Sequence, residues 1–275
     1  MRAVSINGRL VSEESAHIAW NDRGLLYGDG LFETMRVEDS CAAHVDRHLQ
    51  RLASSSDFLE IPIPRRSSLV AWIDDLLAFH DIRSGALRIT VTRGTGVGLA
   101  SAPEGEAAVL MNMREQEIAR VGECEDVGIA RIFFHPPAIG RRIKTLNYLP
   151  AIVAQRELAV RGFREGIVLS EDGEMMEGTV SNLFAVVDGV VITPPVSCGI
   201  LPGITRALVL EAALRCGINA QEMTVPMSAL PQVSEMFYTN SVRGLVPIRA
   251  VETIWQARSH VVSDRLAREL EDQPG

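Results

Sequence analysis

Short apolar runs separated by turn signals open the chain. Val4 and Ile6 alternate ahead of Asn7-Gly8, and Leu10-Val11 follow, a spacing that predicts a β-hairpin. Between residues 44 and 58, Val45, His48, Leu49 and Leu52 recur at helical spacing. Over residues 67–79, Leu69, Ile73, Leu76 and Leu77 repeat that spacing behind a serine cap. Each helix offers one apolar stripe, as helices packed on a sheet do. Residues 87–92 alternate as a strand and lead into Gly94-Thr95-Gly96-Val97-Gly98.

Polar, glutamate-rich residues 114–127 predict a linker, dividing a small N-terminal α+β domain (1–115) from a larger C-terminal domain (116–275). In the second part, residues 129–134, 166–169, 182–187, 190–193 and 236–240 predict strands. Asp172-Gly173 and Asp188-Gly189 supply turns, and residues 147–161 and 204–215 predict helices. The mixture is α+β or α/β with hairpins rather than a strictly alternating doubly wound fold. No internal repeat or low-complexity tract interrupts it.

A net charge of −8 and a pI near 5.3 argue against nucleic acid as the main partner, because phosphate backbones need a clustered basic surface. No run of about 18 apolar residues and no apolar N-terminal region is present, which implies no membrane association, no signal peptide and a cytoplasmic protein. Cys41, Cys124, Cys198 and Cys216 form no C-x-x-C pair and read as small core residues or inert thiols. The basic residues change the picture. All 27 are arginine except one, Lys144. Arginine therefore suffices at the ordinary surface and ion-pair positions, which leaves two readings of the exception, a chance surface residue or a residue kept for its chemistry. A lysine amine can lose its proton and condense with a carbonyl, which arginine cannot do.

Other chemistry is thinly supported. The glycine-rich 94–98 segment opens no convincing helix and lacks a P-loop lysine. His44 and His48 have no third ligand nearby in sequence; they read as a solvated helix face, and no metal site is expected. There is no G-x-S-x-G elbow. Lys144 lies in Arg141-Arg142-Ile143-Lys144-Thr145-Leu146-Asn147-Tyr148, between an apolar strand region and a helix. Positive neighbours such as these lower an amine pKa if they stay close in space. A drop from about 10.4 to between 7 and 8 corresponds to roughly 4 kcal/mol that the environment must supply.

Five motifs in order resemble the class IV aminotransferase family: residues 21–36 (Asn-Asp-Arg-Gly-Leu-Leu-Tyr-Gly-Asp-Gly-Leu-Phe-Glu-Thr-Met-Arg), His48-Leu49-Gln50-Arg51, Lys144-Thr145-Leu146-Asn147-Tyr148, the Glu177 to Phe184 stretch, and Gly199 to Arg206. The resemblance implies a two-domain fold-type IV enzyme using pyridoxal 5'-phosphate (PLP), a homodimer, and a small-molecule amino substrate. It implies that Lys144 forms the Schiff base and moves protons, and that Glu177 pairs with the pyridine nitrogen so that the ring can take up electrons. Arg51, the amides of Ile204 and Thr205, and Asn240 and Ser241 are implied at the phosphate. Tyr148 is placed at the phenolic oxygen, and Asn182 either orients Glu177 or stabilises its turn.

The reaction is narrowed by local differences. The arginine and histidine carboxylate trap of bacterial D-amino-acid aminotransferases is missing after Thr92-Arg93-Gly94-Thr95, and Thr239-Asn240-Ser241-Val242 replaces the Gly-Thr-Ala-Ala segment of branched-chain aminotransferases. The Asn240-Ser241-Val242 stretch and the Tyr27 to Thr34 opening resemble 4-amino-4-deoxychorismate lyases, which implies formation of 4-aminobenzoate and pyruvate and a role in folate biosynthesis. The alternative is an aminotransferase of D- or branched-chain amino acids. Phe32, Arg88, Arg93 and Arg243 are the candidate substrate-binding residues.

Overall fold

The N-terminal hairpin forms as its pattern predicts. The strand β1 (Ala3–Ile6) pairs antiparallel with β2 (Arg9–Ser12) across Asn7 and Gly8, both at positive φ, the turn whose twist matches a hairpin. The structure is a computed structural model and describes residues 3–80, 82–99, 105–116, 123–131 and 142–272. These fall into two units. The first comprises the described residues of 1–118 together with Ile143–Asn147, and the second comprises those of 119–142 and 148–274. Residues 143–147, which the expected boundary assigns to the second domain, therefore pack with the first.

In the first unit β3 (Gly30–Glu38), β4 (Cys41–Ala42), β5 (Ser84–Thr92) and β6 (Ala108–Glu115) complete a six-stranded sheet ordered β2-β1-β6-β5-β3-β4. Period-two alternation divides it into two faces. Leu31, Met35 and Val37 join Leu87, Ile89 and Val91 of β5 in a core covered by Leu49 and Leu52 of α2 (Val45–Leu59) and Leu69, Ile73 and Leu76 of α3 (Arg66–His80). A short α1 (Arg23–Tyr27), capped by Asp22, precedes β3. Phe32 and Thr34 lie on the other face, in register with Thr90 and Arg88 of β5. The serine expected to cap α3 lies inside its first turn, because the Arg65 carbonyl already accepts from Ser68 and Leu69.

The second unit contains β7 (Glu125–Ile129), α4 (Leu149–Val160), β8 (Gly166–Leu169), β9 (Glu174–Gly178), β10 (Asn182–Val187), β11 (Val190–Thr193) and α5 (Ile204–Arg215). They are followed by β12 (Ala220–Glu222), β13 (Val225–Pro226), β14 (Val233–Asn240), β15 (Gly244–Val251), β16 (Trp255–Gln256) and α6 (Val261–Glu271). The sheet runs β12-β11-β10-β14-β15-β7-β8-β9-β13, and a further pairing of β9 with β10 closes the central strands on themselves. Inside lie Leu183, Ala185, Met236, Tyr238, Val246 and Ile248. Outside, Phe184 and Phe237 stack at 4.8 Å in a separate core with Val209 of α5 and Leu266 of α6. Both faces of β10 and β14 are covered, which explains their unbroken apolar runs. The strand expected over 129–134 is found instead at Glu125–Ile129, ending where it was expected to begin; residues 132–134 lie outside the described residues, as does Arg141. No helix among the described residues is long and apolar enough to cross a membrane.

Buried Glu235 accepts from the amides of Val262 and Ser263 and from the hydroxyls of Ser259 and Ser263, so a strand side chain caps α6. Glu235→Ala leaves those donors unsatisfied and is expected to cost about 2 to 3 kcal/mol. Urea unfolding measures this as a lowered midpoint at an unchanged slope, and an unaltered midpoint would refute the cap.

Candidate active site

Lys144 reaches its position through the backbone. The Phe32 amide donates to the Lys144 carbonyl (2.9 Å), the Leu146 amide donates to the Gly30 carbonyl (3.0 Å), and Leu31 bridges antiparallel to Thr145. Ile143 enters the core of the first unit, anchoring this strip from one side. The Lys144 side chain faces the opposite surface of the sheet, with Nζ 4.4 Å from the Phe32 ring centroid. The Arg88 guanidinium lies 3.7 Å from the same centroid, and its Nε donates to the Thr90 hydroxyl (3.1 Å). A buried aromatic ring thus carries an amine and a guanidinium together.

Behind that strand, on its helix-facing side, Glu33 is enclosed at 1% exposure. Arg51 donates to it from Nε (2.8 Å) and Nη2 (2.6 Å), and His48 Nδ1 lies 2.7 Å from its second oxygen. Burial alone would raise the Glu33 carboxyl, but the hydrogen bonds from Arg51 and His48 and the Arg51 charge hold it below the usual glutamate range. Burial pushes the His48 imidazole down, and the Arg51 and Lys144 charges add to that against the pull of Glu33. The arrangement is an ionised carboxylate taking a proton-donor bond from a neutral imidazole. The reading of His48 as part of a solvated helix face is therefore corrected: its side chain is buried because it turns inward to Glu33.

Two candidate substrate arginines are engaged elsewhere. Arg93 donates to Asp29 (2.8 Å) and to the carbonyls of Leu59 and Glu60, tying the end of β5 to α2 and its following turn. Arg243 pairs with Glu125 (2.7 Å) and bonds to Tyr238, whose phenol is raised by burial and by its bond to Glu125. The glycine loop is docked on α1, with the Gly98 amide on the Tyr27 hydroxyl (2.8 Å) and the Gly96 amide on the Asn21 carbonyl (3.0 Å).

In the second unit the strand pair that closes the sheet is Asn182 opposite Glu177. Both are buried, and both grip Leu201: the Leu201 amide donates to Glu177 (3.1 Å) while Asn182 Nδ2 donates to the Leu201 carbonyl (2.9 Å). The turn after Glu177 is held by buried Glu165, which accepts from the Thr179 amide (2.9 Å) and the Ser181 hydroxyl (2.8 Å). Gly203 is the N-cap of α5 and supplies no side-chain cap, so the helix opens with Ile204 and Thr205 presenting backbone amides. A Cβ at Gly203 would strike Asn182 Oδ1. The Thr239 hydroxyl, opposite Asn182 in register, is buried with no hydrogen-bond partner among the described residues. Asn240 turns its side-chain oxygen onto the amides of Val242 and Arg243, forming the turn that holds Ser241. Tyr148 is the residue preceding α4, and its carbonyl accepts from Ile152 (2.9 Å).

Glu33 and Glu165 were missed from the sequence, although each is an acid beside or within an apolar strand, a position that calls for a partner.

A profile of the family described as amino-transferase class IV matches residues 30–251. The chain is 31% identical over 258 residues to a putative branched-chain-amino-acid aminotransferase of Methanocaldococcus jannaschii, covering 90% of this chain and 88% of the relative. It is 29% identical over 255 residues to the aminodeoxychorismate lyase of Bacillus subtilis, covering 91% and 87%. The crystal structure of 4-amino-4-deoxychorismate lyase from Pseudomonas aeruginosa superposes with a TM-score of 0.85 at 28% identity, covering 98% of this chain and 97% of that one.

The neutral imidazole has a consequence for stability. Because the folded pKa of His48 lies below 6.5, the unfolded chain takes up its proton first, and stability present near neutrality is lost as pH falls below about 6.5. Glu33 contributes to the same trend only lower, below 4.5. His48→Asn keeps a donor and should flatten the slope between about pH 7.5 and 5.5. Unfolding free energies at the two pH values test this, and equal slopes in both proteins would contradict a neutral His48.

Proposed function

The chain belongs to the class IV aminotransferase family, and we propose that within it the protein is a PLP-dependent lyase converting 4-amino-4-deoxychorismate to 4-aminobenzoate and pyruvate. The observation that carries the proton chemistry, for this reaction and for the alternative below alike, is the amine of Lys144 and the guanidinium of Arg88 on one Phe32 ring. A base beside a carboxylate-binding cation suits a substrate whose amine and carboxylate lie near one another. The missing trap after Thr95 and the Asn240-Ser241-Val242 stretch favour the lyase over a D-amino-acid aminotransferase. The similarity to the archaeal protein named as an aminotransferase favours a second reading, transamination of branched-chain amino acids by the same lysine. A cytoplasmic homodimer belongs to either reading.

The donor set fits the cofactor. An uncapped α5, the Thr205 hydroxyl and the partnerless Thr239 hydroxyl suit a phosphate, and Glu177 is a buried carboxylate for a protonated ring nitrogen. Arg51, Ile204, Thr205, Asn240 and Ser241 are assigned to the phosphate, Tyr148 to the phenolic oxygen and Lys144 to the aldehyde carbon. When bound, PLP supplies the electron sink that makes the substrate C4–H acidic. Lys144 Nζ takes that proton, the C3–O bond breaks, and the ring becomes aromatic as the three-carbon fragment leaves. Arg88 holds a substrate carboxylate so that the C4–H faces the lysine. Asn182 and Glu177 keep each other in place through Leu201.

Borohydride treatment of the holoenzyme should leave a pyridoxyl group on the peptide containing residue 144, since Lys144 is the chain's lysine. Lys144→Ala should lose about 10²-fold or more of turnover. Glu177→Gln should bind PLP nearly normally yet lose most turnover, because the lost interaction counts most in the carbanionic state. Supplying aminodeoxychorismate made in situ to one sample, and amino acids with 2-oxoglutarate to another, separates the two readings. The expected product is 4-aminobenzoate; glutamate formation without it would rule out the lyase and leave the lysine chemistry standing.

A further inference from the structure

Glu33 occupies a place where a charge is costly, between Leu31 and Met35 on the core-facing side of β3. Neither His48 nor Glu33 has a part in the chemistry assigned above. Their geometry is directed at one group. Two parallel bonds from Arg51 fix both the direction and the plane of its guanidinium, and His48 fixes the carboxylate that receives them.

We propose that Glu33 and His48 are positioning residues that hold the Arg51 guanidinium in the orientation that receives the cofactor phosphate, a role that rests on the assignment of Arg51 to that phosphate. The carboxylate and the guanidinium together carry no net charge, and His48 is neutral. Arg51 therefore serves the phosphate through the direction of its N–H groups rather than through an excess of positive charge. His48 acts one step further back: its Nδ1 donates to the same Glu33 oxygen that accepts from Arg51 Nη2, so it sets the carboxylate plane. Because α2 carries both His48 and Arg51 while β3 carries Glu33, the triad also fixes the helix against the strand beneath Phe32.

A charge argument and an orientation argument predict opposite signs for Glu33→Gln. Removing the negative charge would tighten phosphate binding if Coulomb attraction governed it, whereas loss of orientation weakens it. The experiment titrates the full-length protein, stripped of cofactor, with PLP and separately with pyridoxal, which lacks the phosphate. Circular dichroism confirms that each variant is folded. Glu33→Gln and His48→Leu are expected to raise the PLP dissociation constant about tenfold or more with pyridoxal affinity changed less than about twofold, and His48→Asn, which keeps the donor, to restore PLP affinity. Equal shifts for the two ligands, tighter PLP binding, or no rescue by asparagine would overturn the positioning role. If Glu33→Gln does not fold, the His48 pair decides. Arg51→Gln separates the two levels of the claim. If it leaves the ratio of PLP to pyridoxal affinity unchanged, the phosphate assignment fails and the positioning role fails with it; if it collapses that ratio while the Glu33 and His48 variants do not, only the positioning role is lost.

Discussion

Two backbone hydrogen bonds to β3, from Phe32 to Lys144 and from Leu146 to Gly30, place a residue from the middle of the chain against the sheet of its beginning. A ladder bond constrains direction as well as distance, so the alternation of β-structure decides where each side chain of the strip goes. Ile143 turns into the core and Lys144 to the Phe32 face. The Lys144 amine is thus located by main-chain geometry and apolar burial, neither of which involves its side-chain nitrogen. Arg88 and Thr34 reach that face by the same alternation, as register partners on β5 and β3.

Buried carboxylates organise each of the two units by collecting donors. Glu33 gathers Arg51 and His48, Glu165 gathers the turn after Glu177, Glu235 gathers the start of α6, and Glu177 itself takes the Leu201 amide. An unpartnered buried carboxylate would cost several kcal/mol, so each is stable only with its full set of donors. That requirement ties loops to strands at specified points. Asn182 and Glu177 show the effect most directly. They form the register pair that closes the second unit's sheet, and by binding the amide and the carbonyl of Leu201 they link that closure to the loop leading into α5.

Much of this architecture was legible in the sequence, and the failures have common causes. The first hairpin, α2, α4, α5, β8, β10 and β11 followed from period and turn residues because each buries one stripe or one short run bounded by Gly or Asp. The strands β3, β6, β9 and β15 and the helices α1 and α6 were among those that escaped. In β9 the segment Glu-Met-Met-Glu-Gly reads as polar until Glu177 is seen to be buried, and α6 begins without a local cap because its cap comes from Glu235 on a distant strand. Lys144 stood out by composition alone, as a lone amine among arginines. His48 did not, since a histidine on an amphipathic helix reads as solvated unless its acid partner, fifteen residues earlier in the chain, is known to face it.

The arginines illustrate why residue type falls short of role. Arg88, Arg93 and Arg243 were equivalent as candidate carboxylate ligands on sequence grounds, yet Arg93 spends three donors on Asp29 and two carbonyls, and Arg243 is paired with Glu125. A guanidinium held in that way exchanges one good partner for another on binding substrate, with little net gain. Arg88 has its own contacts, with its guanidinium over the Phe32 ring and its Nε on the Thr90 hydroxyl, and the Lys144 amine lies over the same ring. Two basic side chains thus share one buried apolar ring, where the dielectric is low and a charge counts for more than in water. A lyase and an aminotransferase of this family alike remove a proton from the carbon that bears the amine, which needs the substrate held within hydrogen-bond reach of a base. The two reactions diverge only in what happens after the proton leaves, so the discrimination resides in the substrate, which either carries a leaving group beside that carbon or does not.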